Sequence, residues 1–105
     1  MAQFSEEVRG DGVCVVRADG ELDLATVEEF IGVVRGSLSR GSAVEIDLGD
    51  ITFMDSSGLG ALVRLRKEAD GQDASLSLTR VTASTDRLLQ LTGLLDYFDI
   101  RATRD

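Results

Sequence analysis

The sequence contains no histidine and only one cysteine, and these scarcities exclude much of the usual catalytic chemistry. A serine hydroxyl becomes a nucleophile only beside a general base, and histidine is the base that proteins use most often. The single lysine, Lys67, lies about three turns into a predicted helix, too far from the start of that helix to replace histidine there. Cys14 has no partner for an intramolecular disulfide, and its place in the apolar stretch VCVV predicts a small buried thiol. We therefore expect no hydrolase and no redox enzyme.

Basic residues and long apolar segments are also scarce. Lys and Arg total 11 against 19 Asp and Glu, which gives a net charge of -8. Contacts to phosphates need clustered cations, so nucleic acids and anionic membranes are not expected partners. The longest apolar runs, VCVV and ALV, fall far short of the ~20 residues of a membrane helix, and the first residues, MAQFSEEVRG, lack a signal pattern. We expect a cytoplasmic protein, and the net charge favours a monomer.

The periodicity of apolar residues predicts an α/β fold in a single domain, residues 1–105. A hairpin is predicted from strands 3–9 and 12–18 around GDG, followed by a helix from Val27, a strand over AVEIDL, a helix after residue 55, a strand over SLSLT, a helix from about Ser84 and a short edge strand near YFDIR. The strands over AVEIDL and SLSLT, joined by a helix, should be parallel, so the sheet is mixed. The alternation within AVEIDL indicates one buried sheet face, with helices mainly on that face.

The same periodicity predicts which individual side chains are buried. It leaves Asp47 on the open face of its strand. In the last two helices it directs the following residues inward: Leu59, Leu62 and Val63, then Leu88 and Leu91. The first helix carries two alternative start signals, Asp23 and a capping box from Thr26 to Glu29. Gly93 suits the left-handed position that follows the last helix.

The stretch DITFMDSSGLGALV, residues 50–63, marks the passage from a strand to a helix. Asp55, Ser56 and Ser57 are all good N-cap residues, and a cap contributes about 1 kcal/mol. One helix needs one N-cap residue, so two of these three polar side chains are left for another role. Gly58 and Gly60 each lower helix propensity by about 1 kcal/mol, which indicates either close approach of a partner or tight packing on the sheet.

Phosphate-binding and metal-binding motifs do not fit this stretch. GLGALV lacks the last small residue of GxGxxG, and the chain has no GK[ST] to hold phosphates. Asp55 follows a central strand, as the phosphoacceptor of a receiver domain does. Such a site needs a second acidic pair for Mg²⁺ and a distant lysine, which VRADG and SLTRV do not supply. We therefore expect no cofactor and no metal.

A hydroxyl at an exposed helix start remains, and a partner kinase could phosphorylate it. The phosphate would add about -1.5 to -2 charges. We expect the helix N-terminus to tolerate this anion through its free N–H groups, so that the domain need not unfold to switch. Asp55 would add to the negative field that a partner meets. The residues alone leave Ser56 and Ser57 both open as the acceptor.

Segments of the chain together resemble the STAS domain: GELDLATVEEF at 20–30, DITFMDSSGLGALV at 50–63 and RLLQLTGLLDYFDI at 87–100. They look most like bacterial anti-sigma factor antagonists of the sporulation and general-stress type. The likeness runs through the whole chain in the expected order, and the string MDSSGLG is specific to this group. One departure is the start of the last helix, where the family often has a proline and this chain reads TASTDRL.

The resemblance implies a STAS fold and a partner switch without enzymatic activity. The unphosphorylated antagonist would bind an anti-sigma factor that is also a serine kinase, phosphorylation would release it, and a PP2C-type phosphatase would reset it. By position, the phosphorylated serine is Ser56, and the implied partner-binding residues are Asp23, Asp55, Ser56, Ser57, Gly58 and Leu59. Asp23 is either a surface contact or a helix cap. STAS domains also occur attached to anion carriers, so the alternative is a free-standing STAS subunit that docks on a membrane transporter.

Overall fold

Five strands form one mixed sheet in the order β1-β2-β3-β4-β5. The computed structural model describes residues 2–41 and 43–104. Along the chain the elements are β1 (Gln3–Val8), β2 (Cys14–Leu22), α1 (Val27–Arg40), β3 (Ala43–Met54), α2 (Ser56–Gly71), β4 (Ser75–Thr79), α3 (Ala83–Leu91), a short 3₁₀ helix (Leu95–Tyr97) and β5 (Asp99–Ile100). β1 and β2 are antiparallel, and the other neighbouring strands are parallel. The predicted hairpin, the parallel β3–β4 pair and the mixed sheet are confirmed.

Helices α1 and α2 contact each other and both contact β3, so they cover the same face of the sheet. Their buried residues recur at helical spacing because only one stripe of each helix faces the core. The main apolar members of these stripes are Val27, Phe30, Ile31, Val34 and Leu38 on α1, and Leu59, Leu62, Leu65 and Ala69 on α2. Val63, predicted to point inward, is only partly buried at the edge of its stripe.

An ion pair links the two helices at the surface. Arg35 on α1 donates hydrogen bonds to both carboxylate oxygens of Glu68 on α2, at 2.8 and 2.7 Å. These bonds, together with the positive charge of the guanidinium, lower the pKa of the Glu68 carboxyl below its ordinary value. Because the pair lies at the surface it adds little stability, and the buried apolar stripes hold α2, with its two serines, against α1.

The last residues of β2 and β3 lie side by side because the register between these strands shifts twice. The shifts occur between Arg17 and Asp19 and between Gly20 and Glu21. Gly20 has a φ of +100°, a conformation that glycine adopts without steric cost. After the second shift Leu22 lies opposite Met54, so the GELD segment ends beside the start of the DSSG segment.

Asp47 is buried, contrary to the prediction that it lies on the open face of the sheet. It is 4% exposed and carries ion pairs to Arg17, at 3.5 Å, and to Arg80, at 3.3 Å. Its carboxylate also accepts a hydrogen bond from the backbone N–H of Gly49 at 2.9 Å. A side chain at Gly49 would collide with Arg80, since a Cβ there would lie 2.5 Å from the guanidinium carbon. Arg17 and Arg80, which are distant from Asp47 in sequence, therefore cover it, although the alternation of polar and apolar residues along its strand predicts that it is exposed.

Helix α3 buries a different stripe from the predicted one. Leu91 is 76% exposed and Leu88 is only partly buried, whereas Leu89 is fully buried. The helix is capped by Thr82, which accepts a hydrogen bond from the backbone N–H of Thr85, and Thr85 lies one turn before Leu89 on the same buried stripe. The prediction for Leu91 is therefore wrong. The prediction for Gly93 is confirmed, because it follows α3 with a φ of +73°.

Candidate functional site

The start of α2 is capped by the carboxylate of Asp55. One of its oxygens accepts hydrogen bonds from the backbone N–H groups of Ser57, at 2.8 Å, and Gly58, at 3.2 Å. The backbone N–H of Asp55 donates to the carbonyl oxygen of Leu22 at 3.3 Å, which ties the cap to the end of β2. Asp55 therefore fills the N-cap role that three residues of the motif could have filled, and neither serine hydroxyl is needed for it.

Ser56 and Ser57 differ in their exposure. Ser56 is the first residue of α2 and is exposed, and its hydroxyl makes no hydrogen bond to any residue in the described ranges. Ser57 is half-buried and lies in a crevice between α1 and α2, beside Val27 and Ile31. Of the two hydroxyls, that of Ser56 is the more accessible to another protein.

The backbone N–H groups at the start of α2 are less available to bind a phosphate than the sequence predicts. Asp55 already accepts from two of them, those of Ser57 and Gly58. A phosphate on Ser56 would therefore have to displace this carboxylate to reach them. An anion at this position stays in solvent beside a second negative charge, so its field acts mainly on whatever docks there.

Asp23 shapes the turn that leads into α1. Its carboxylate accepts hydrogen bonds from the backbone N–H of Ala25 at 3.0 Å and from the hydroxyl of Thr26 at 3.3 Å. The Thr26 hydroxyl also donates to the carbonyl oxygen of Glu21 at 2.9 Å and makes no cap bond to the helix. The predicted helix start at Thr26 is confirmed, but the capping box to Glu29 is wrong because its side-chain bonds do not form, and the half-buried Asp23 has a structural role in this turn.

Gly58 and Leu59, both predicted as partner contacts, are buried beneath the helix start. Leu59 is part of the core. A Cβ at Gly58 would lie 2.7 Å from the carbonyl oxygen of Leu22 and 3.0 Å from a side-chain carbon of Met54, so this glycine lets α2 approach the ends of β2 and β3. Neither position presents a side chain to a partner. The exposed Gly60 differs, since a Cβ there would meet nothing within 4 Å.

Exposed apolar residues near this site were missed by the sequence reasoning. Leu24, directly after Asp23, is 77% exposed, and Phe53, at the end of β3, is 53% exposed. The sequence carries no signal for the exposure of Phe53, because the period of 2 places it on the same face of β3 as the buried Ile51.

Metal-binding and membrane-spanning features were searched in the described part of the chain. Within residues 2–41 and 43–104, no group of three or more Asp, Glu, Cys or His side chains could hold a metal ion. The carboxylate of Asp55 is engaged as a helix cap, a different arrangement from an acidic cluster around a phosphoacceptor. None of the helices in these ranges combines the length and hydropathy of a membrane span.

The family can be identified from residues 6–105, which match the family model of the STAS domain. The chain belongs to the STAS domain family. Among curated STAS relatives, the anti-sigma-B factor antagonist of Staphylococcus epidermidis is 32% identical over 96 residues, covering 90% of this chain and 89% of that protein. The sequence resemblance to this family is thus confirmed.

Solved structures of other proteins share the architecture of this chain. An anti-sigma factor antagonist from Mycobacterium paratuberculosis matches with a TM-score of 0.84 at 27% identity, covering 95% of this chain and 85% of that chain. The Bacillus cell fate determinant SpoIIAA in its phosphorylated form matches with a TM-score of 0.73 at 22% identity, covering 94% and 91% of the two chains. That second likeness shows the fold alone. The predicted STAS fold is confirmed.

Proposed function

We propose that this STAS protein is an anti-sigma factor antagonist that binds an anti-sigma factor serine kinase and releases it when Ser56 is phosphorylated. The observation that carries the proposal is the exposed Ser56 hydroxyl, which opens α2 without capping it and makes no hydrogen bond to a described residue. The antagonist relatives in Staphylococcus support the same function. The role is regulatory and needs no catalytic group on this chain.

The proposed switch acts through charge on the docking surface. A phosphate on Ser56 would add about -1.5 to -2 charges at a helix start whose nearest N–H groups already bind Asp55. Two like charges ~6 Å apart repel by about 0.7 kcal/mol at the dielectric constant of water and by nearly ~3 kcal/mol at an effective value of 20. The doubled charge of a phosphate therefore lowers affinity by about tenfold to about ten-thousandfold.

The remaining components of the switch follow from the same proposal. A PP2C-type phosphatase removes the phosphate and restores binding. Asp23, Asp55, Ser56 and Ser57 lie at the contact surface, with Asp23 and Asp55 also holding the two turns in place. The switch works in the cytoplasm as a monomer, and the net charge of -8 disfavours nucleic acid as a partner.

The proposal is tested by incubating the purified protein with ATP, Mg²⁺ and each candidate anti-sigma factor kinase encoded in its own genome. We expect one kinase to bind the protein and to add a single phosphate, mapped to Ser56 by mass spectrometry and stable to hydroxylamine. The Ser56→Ala variant is the control, which should bind the same kinase and take up no phosphate.

Other results would contradict the proposed switch or support a different function. A hydroxylamine-labile phosphate on Asp55 would contradict the proposal in favour of a receiver-type aspartate. If no kinase binds or labels the protein, the switch is contradicted. Co-purification with a permease or an ATPase subunit would then support the transporter-associated alternative.

A further inference from the structure

A groove of about 270 Å³ lies between the end of β3 and helix α3. Its principal lining residues are Ile51, Phe53, Met54, Arg87, Leu88 and Leu91. The lining is mostly apolar, with the Arg87 side chain contributing a cation. The groove is smaller than the roughly 300–1,000 Å³ pockets that hold small-molecule ligands. Its size and chemistry suit a protein side chain.

The groove includes apolar side chains that the fold leaves in water. In residues 2–41 and 43–104, the exposed large apolar residues are Val8, Leu24, Phe53 and Leu91. Phe53 and Leu91 both line the groove, at 53% and 76% exposure. Val8 lies at the opposite end of the sheet, where it pairs with the first residue of β2. Contiguous apolar surface rimmed by polar groups commonly marks a protein contact.

The groove is continuous with the helix start that carries Ser56. Met54 lines the groove and directly precedes the capping residue Asp55. Met54 also lies against the backbone of α2, since a Cβ at Gly58 would come within 3.0 Å of its side chain. A protein that covers Ser56 therefore has the groove within reach.

Arg87 indicates the charge of the occupant. Arg87 makes no ion pair or hydrogen bond with any residue in the described ranges, although the chain has an excess of acidic residues. A carboxylate on a docked protein would therefore find an unpaired guanidinium at the groove. An apolar groove with an unpaired guanidinium is complementary to an apolar side chain of a partner that has an acidic residue beside it.

We infer that this groove is a second contact for the anti-sigma factor kinase, which inserts an apolar side chain between Phe53 and Leu91 and pairs a neighbouring carboxylate with Arg87. The inference rests on the proposed function, because it names a further contact of the same partner. It adds a surface that phosphorylation of Ser56 leaves unchanged and that binds mainly by apolar burial, with one ion pair at Arg87.

The test measures the dissociation constant between the kinase that wild type binds and a set of unphosphorylated variants. Leu91→Gln and Phe53→Thr each remove apolar surface from the groove, and threonine keeps the β-propensity that Phe53 supplies. We expect each variant to raise the dissociation constant by about tenfold, as truncation of a central contact does. Val8→Ser is the matched control and should stay within about twofold of wild type, because Val8 is exposed far from the groove.

Arg87→Gln probes the polar half of the contact. We expect about threefold to tenfold weaker binding, with a smaller loss at high salt, because the pair is electrostatic. Arg101→Gln changes the net charge by the same amount and is the control, since among residues 2–41 and 43–104 the side chain of Arg101 pairs with the exposed Asp99 alone. Thermal unfolding of every variant checks that the fold is intact.

Failure of the inference and failure of the proposed function give different results. If wild type binds a kinase and both Leu91→Gln and Phe53→Thr bind it within twofold, the groove is not a contact and the switch stands. If wild type binds no kinase, the proposed function fails and the groove assignment fails with it. If wild type sediments as a dimer that Leu91→Gln dissociates, the groove binds a second copy of this chain and the inference is overturned.

Discussion

Ser56→Asp is expected to weaken binding of the anti-sigma factor kinase by about threefold to hundredfold, because it adds one permanent charge where the partner docks. The exposed position at the first residue of α2 gives the new carboxylate free access to the docking surface. Two of the N–H groups that could neutralise it, those of Ser57 and Gly58, are already bonded to Asp55. The measurement is a titration of each protein with the kinase, in the absence of ATP hydrolysis.

Two matched variants separate the local effect of charge from its general effect. Ser5→Asp adds the same charge at an exposed position of β1, and we expect it to bind as wild type does. Ser56→Ala removes the hydroxyl without adding charge, so its affinity should stay within about twofold of wild type. Equal affinities for wild type and Ser56→Asp would count directly against the switch.

Gly58→Ala and Gly60→Ala are expected to change stability in opposite directions, although both replace a glycine in the first turns of α2. The Cβ of alanine at position 58 would meet the carbonyl oxygen of Leu22 at 2.7 Å, and a backbone atom cannot move aside easily. The strain of overpacking, typically 1–3 kcal/mol, exceeds the gain of about 1 kcal/mol in helix propensity. We expect a net loss of up to about 2 kcal/mol in the free energy of unfolding.

Gly60→Ala should instead stabilise the protein by up to about 1 kcal/mol, because its Cβ meets nothing within 4 Å and alanine favours the helix. Thermal unfolding of wild type and the two variants provides the comparison, with far-UV circular dichroism as the probe. A domain of this size shifts its Tm by roughly 4–8 °C per kcal/mol, so the signs are easily resolved. Shifts of the same sign in both variants would contradict the packing assigned to Gly58.

Much of the fold could be predicted from the sequence because apolar periodicity reports local structure. The stripe of α1, the presence of a strand at β4 and the left-handed Gly93 after α3 all depend on neighbours close in the chain. The burial of Asp47 could not be predicted, since it depends on Arg17 and Arg80 from other segments. The exposure of Leu91 was missed because a short helix offers several apolar stripes and the tertiary packing chooses among them.

The candidate site could be predicted only in part, because some of its features depend on contacts between distant segments. The motif shows that a polar group caps α2, but only the hydrogen bonds of its carboxylate identify Asp55 as that group. Family resemblance was needed to choose Ser56 over Ser57, and the difference in exposure now supports that choice independently. The groove could not be predicted, because Met54 and Leu91 are far apart in sequence and meet only in the folded chain.

The most direct test of the switch is the dissociation constant of one cognate kinase for a single preparation, measured before and after phosphorylation. Our account predicts one phosphate on Ser56, at least about tenfold weaker binding, and recovery of the original affinity after treatment with a PP2C-type phosphatase. An unchanged dissociation constant with Ser56 fully phosphorylated would contradict the account.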